Sequence, residues 1–67
     1  MIVNFYKRTT EHNRQNGNGA NKFIASKNLD CIPPFNTTIK LNSQTFRVSR
    51  IILNIDRCEY DVYLVRA

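Results

Sequence analysis

The chain has 67 residues, 42% of them hydrophobic and 22% charged, with ten Lys and Arg against five Asp and Glu. That describes one small domain, residues 1–67, too apolar for wholesale disorder. The longest unbroken apolar run is Ile51-Ile52-Leu53, far short of the ~20 residues that a transmembrane helix needs. No signal-peptide pattern opens the sequence, so the expectation is an intracellular protein, or part of an assembly made inside a cell, with no membrane partner.

A domain this short buries only about 60% of its unfolded surface and is marginal alone. Disulfides, a metal or a partner usually supply the rest. Cys31 and Cys58 are too few for a disulfide framework and read as small, half-buried hydrophobes. With no CxxC pair and His12 as the single histidine, a tetrahedral zinc site lacks ligands. No cofactor is expected, and the remaining support is a protein partner or self-association.

Met1 to Lys7 alternates with period two. Val3 and Phe5 share one face, and Ile2, Asn4 and Tyr6 share the other, which reads as a strand. Residues 8–21, RTTEHNRQNGNGAN, follow as a long polar loop. It contains Asn16-Gly17 and Asn18-Gly19, strong turn signals. Long loops in small domains tend to carry function, so this one reads as an exposed arm or a hairpin tip. Residues 22–27 form a short strand with Phe23 and Ala25 inward; a helix over 20–28 is the competing reading.

Pro33 and Pro34 lack the amide donors of a ladder and mark a rigid connection. Residues 37–41 form a strand with Ile39 and Leu41 inward. Asn42-Ser43-Gln44 is a polar turn, and residues 45–49 return with Phe46 and Val48 inward. The inward parity then slips to Ile51, Leu53 and Ile55. One inserted residue at Ser49-Arg50 repairs it, which is a β-bulge. Residues 56–59 make a second turn, and residues 60–65 close the chain with Tyr60, Val62 and Leu64 alternating against Asp61 and Tyr63.

No segment carries a helical period. About five short strands with tight turns predict an all-β fold, a small antiparallel barrel or sandwich. The bulge and the length favour an SH3-like barrel, since closure removes exposed edges.

The stretch from Ile32 to Leu64, together with the first strand, resembles small SH3-like β-barrel proteins encoded by bacteriophages and mobile elements. Pro34, Ile39, Leu41, Phe46, Val48, Ile51, Asp61, Val62, Tyr63 and Leu64 carry the likeness. Asn36 and Thr37 stand where that group has a Gly-Asp turn, and Asn tolerates the positive φ such a turn requires. The resemblance implies an SH3-like barrel and a phage-type origin, hence host cytoplasm or the virion. It brings no catalytic residues. The nine asparagines also fit an AT-rich genome.

Catalysis needs a preorganised site. His12, alone in the polar loop beside Glu11, offers none, and the chain reads as non-enzymatic with no small-molecule substrate. Asp56, Glu59 and Asp61 lack the calcium-loop pattern and read as a solvated hairpin tip. The charge is uneven: +6 over residues 1–50 and −1 over residues 51–67. The expectation is a phage interaction module, an accessory or structural subunit working through protein contacts. Its contact residues are Tyr6, Arg8, Arg14, Asn16, Asn18, Lys22, Arg47 and Tyr63, with the two tyrosines as anchors. The alternative is a basic nucleic-acid-binding or host-takeover regulator. Basic residues beside aromatic rings can hold single-stranded bases, yet Tyr is equally at home in protein interfaces.

Overall fold

The structure is a computed structural model that describes residues 1–9 and 20–67. Five strands form one sheet: β1 (Ile2–Thr9), β2 (Ala20–Asn28), β3 (Thr38–Leu41), β4 (Gln44–Asn54) and β5 (Glu59–Arg66). Their order across the sheet is β2-β1-β5-β4-β3. The sheet curls into a half-barrel, and no helix occurs among the described residues. The all-β expectation therefore holds. Fully antiparallel pairing does not, because β1 and β5 run parallel, with Phe5 opposite Val62. A β1–β2 hairpin and a β3–β4–β5 meander are joined along that one parallel seam.

The core lies on the concave face. Val3 and Phe5 of β1, Leu41 of β3, Phe46 and Val48 of β4, and Val62 and Leu64 of β5 are all buried there. Ile24, Ala25, Leu29, Ile32, Ile39, Ile51 and Tyr60 pack around them. Alternation puts these side chains on one side of the pleat, and burying that side is what fixes the register.

The bulge in β4 falls where the parity slips. Val48 pairs with Leu64 and Arg50 with Tyr63, leaving Ser49 as the extra residue. Its hydroxyl donates to the Tyr63 carbonyl at 3.1 Å. Val48 and Ile51 thus both face the core, and the bent strand supplies curvature. Asn36 has φ 69° at the turn after the prolines, the left-handed geometry expected there. Its amide donates to the Val48 carbonyl at 2.8 Å, which ties the proline connection to the core strand. Asn42 and Ser43, at φ 53° and 66°, make the tight β3–β4 turn.

Several expectations need correcting. Arg8 and Asn21 belong to strands rather than to the polar loop, because the β1–β2 ladder runs up to the Thr9–Ala20 pair. Backbone pairing is indifferent to the polarity of the side chains it carries. The strand over residues 22–27 is borne out, within the longer β2, and the competing helix over 20–28 is not. Phe23 does not point inward. A register shift opposite Phe5 and Tyr6 leaves Ile24 unpaired, so Phe23 pairs with Tyr6 on the outer face while Ala25 keeps the core side. Leu53 and Ile55 are 46% and 71% exposed, since the β4–β5 hairpin runs past the end of the core. Cys31 and Cys58 are free and exposed, not half-buried: both sit in connections outside the strands.

Candidate interaction face

The convex face of the sheet gathers the side chains that the core does not use. Cross-strand partners share a face, so the register gives its layout directly. One row crosses the sheet from Phe23 on β2 through Tyr6 on β1 and Tyr63 on β5 to Arg50 on β4. The Tyr6 and Tyr63 rings stack with centroids 5.2 Å apart and planes 20° from parallel. Phe23 meets Tyr6 edge-on, at 5.6 Å and 70°. Phe23 itself is 53% exposed.

The 5.2 Å spacing of the stack is close to the ~4.8 Å between neighbouring strands. The two rings therefore stand upright from the sheet and cover each other's inner faces. What they offer outward is ring edges and hydroxyls. A ring lying flat on a sheet offers its π-face to a base; an upright, mutually stacked pair does not.

Toward the β4–β5 turn, the next row is acidic. Asn4 is 8% exposed although it lies on the outer face. Its side-chain amide donates to Glu59 Oε1 at 2.9 Å and to Asp61 Oδ1 at 3.1 Å. Both amide hydrogens are thus used, and one neutral group holds two carboxylates side by side. Glu59 also lies 3.7 Å from the Arg57 guanidinium. Burial pushes the Tyr6 phenol above its ordinary value. The Asp61 carboxylate, Tyr63 and Glu59 push the same way, and Arg57 opposes them. Each negative neighbour disfavours the phenolate.

Toward the opposite end of the strands, the row beyond the tyrosines is basic. Arg8 pairs with Asn21 and Arg47 with Val65, and both arginines are exposed. The convex face is therefore divided along the strand direction into an acidic row, an aromatic row and a basic row. Ile2 and Ile52, both partly exposed, add apolar surface beside the acidic row.

Of the residues singled out in the sequence, Tyr6, Arg8, Arg47 and Tyr63 come together on this face. Lys22 does not join them; it pairs with Lys7 on the opposite side of the pleat. Arg14, Asn16 and Asn18, and also His12, lie outside the described residues. Phe23 and Arg50 belong to the row and were missed, Phe23 because the irregularity in the β1–β2 ladder leaves no mark in the sequence. Arg50 was legible: the bulge at Ser49 turns it, rather than Ser49, to the side of Arg47. Among the described residues, no group of acidic, His and Cys side chains is arranged to hold a metal ion. Compared with protein-family models, with curated proteins and with solved structures, the chain finds no match.

Proposed function

We propose that the chain is a non-enzymatic interaction module that meets a protein through the convex face of its sheet. The observation that carries this reading is the upright Tyr6–Tyr63 stack. Its inner π-faces are taken, while its edges and hydroxyls offer apolar area with polar tips, the combination that protein interfaces favour. The carboxylates of Glu59 and Asp61 adjoin the stack, and they repel a phosphate backbone from that side.

The finer placement belongs to the same proposal: an SH3-like barrel of phage type, acting as a small accessory or structural subunit. The curl of the sheet and the bulged β4 support the barrel part of this reading; the phage type rests on the resemblance of residues 32–64 and the first strand alone. The runner-up is nucleic-acid binding, favoured by the exposed Arg8, Arg47 and Arg50 on this face.

A photoreactive phenylalanine analogue at position 23 tests the choice, with the exposed Phe35 as control site. Irradiation is expected to give discrete protein adducts from position 23 that survive nuclease. Adducts that vanish with nuclease, or no adduct, would contradict the reading.

A further inference from the structure

The order of the rows on the convex face says what kind of protein fits it. An acidic row and a basic row flank an aromatic one, and the acidic residues sit on β5, between the strands that carry the two arginines. A two-fold axis laid along the aromatic row reverses the strand direction. It sets each copy's tyrosines against the partner's tyrosines, and each copy's basic row over the partner's acidic row, with Glu59 and Asp61 one strand to the side of each facing Arg8 and Arg47. Acidic end meets basic end and aromatic row meets aromatic row, as a two-fold interface requires, and the one like-charge contact is Arg50 against the partner's Arg50. We infer that the occupant of the face is a second copy of this chain, packed sheet on sheet about that axis; this rests on the proposed protein-binding role of the face.

The geometry supports the pairing in detail. Glu59 and Asp61 stand one strand away from β1 and one from β4, within the reach of an arginine from either side. Two aligned sheets pack ~10 Å apart, a gap that interdigitated aromatic side chains fill. Arg50 closes the end of the aromatic row, where the axis sets it against the partner's Arg50, so both side chains must turn away from the row. The partly exposed Ile2, Phe23 and Ile52 become covered, which gives a domain of this size the apolar burial it lacks alone.

The test is solution mass by sedimentation over a range of concentrations, on the unaltered chain and on charge variants. The unaltered chain is expected to form a dimer. Arg8→Glu with Arg47→Glu sets acid against acid and weakens the dimer about tenfold or more, as like charges brought together do. Glu59→Lys with Asp61→Lys sets base against base and does the same. Mixing the two variants restores opposite charges at each contact, so a mixed dimer forms at concentrations where neither variant dimerises alone. If the lysine variant fails to fold for want of its bonds to Asn4, Arg8→Lys with Arg47→Lys serves as the second arm and must keep the dimer. A monomer at every concentration overturns the inference, as does a dimer indifferent to the Arg8 and Arg47 reversal. The photoreactive group at position 23 separates the two levels of the argument. An adduct of twice the chain mass supports the second copy. An adduct with a different protein sinks the dimer and leaves the protein-binding face standing, and a nuclease-sensitive adduct sinks both.

Discussion

Tyr6 on β1 and Tyr63 on β5 stack at 5.2 Å because those strands run parallel and in register. In a parallel pair, a residue's neighbour on the same face lies one strand spacing away at the same height. Two tyrosines there have little choice but to stack. The seam that joins the hairpin to the meander is therefore also the seam that builds the aromatic row.

Tyr63 and Leu64 are neighbours in sequence that do different work, and substitution separates them. Leu64 is fully buried in the core, so Leu64→Ala is expected to cost about 2–5 kcal/mol. For a domain of this size that is a large share of the total stability, and thermal denaturation should show a midpoint lowered by about 10 °C or more. Tyr63→Ala removes a half-exposed ring and one stacking contact, worth roughly 0.5–1.5 kcal/mol beyond the area lost. It should leave a folded circular-dichroism spectrum while abolishing cross-linking from position 23. Equal destabilisation by the two changes would mean that the convex face is structural.

The raised Tyr6 phenol sets a pH dependence whose sign can be worked out. The folded chain holds that proton more tightly than the unfolded one, where a phenol titrates near ~10. The stabilisation is therefore complete below the unfolded value and is lost as pH rises through the higher folded value. Ultraviolet titration of the chain should show a late phenol component that Tyr6→Phe removes. Denaturation midpoints should fall across the same alkaline window, and less steeply in Tyr6→Phe. A late component that survives Tyr6→Phe would place the perturbed phenol elsewhere.

Ser43 and Cys58 occupy left-handed backbone positions, at φ 66° and 55°, in the turns at opposite ends of β4. A residue with a Cβ costs roughly 1 kcal/mol there relative to glycine. Ser43→Gly and Cys58→Gly should each raise the denaturation midpoint, and the gains should add because the turns are far apart. Cys58→Gly loses only a long thiol contact, 3.7 Å from the Ile55 carbonyl. A loss of stability in either variant would show that the side chain contributes more than its backbone strain costs.

Much of the fold was legible because period two leaves a plain mark. Val3 and Phe5, Phe46 and Val48, and Val62 and Leu64 each declare their face by spacing alone. The β4 bulge was legible too, as a break in parity between Val48 and Ile51. What escaped was whatever depends on pairing rather than on local pattern. Nothing in residues 22–27 says that Ile24 is skipped in the ladder, so period two alone puts Phe23 on the wrong face. Nothing local tells β1 to run parallel to β5. Exposed Leu53 and Ile55 continue the apolar alternation after the core has ended, and sequence does not show where a core ends. The tyrosines lie at opposite ends of the chain, and only the β1–β5 register brings them into contact.

The most direct test of the account is the absolute mass of the chain in solution by light scattering, with and without a short oligonucleotide, at low and moderate salt. The convex face as the contact with a second copy of the chain predicts a mass of two chains that the oligonucleotide does not change at either salt. A monomer that gains mass with the oligonucleotide and loses it as salt rises, as counterion release demands, would contradict it.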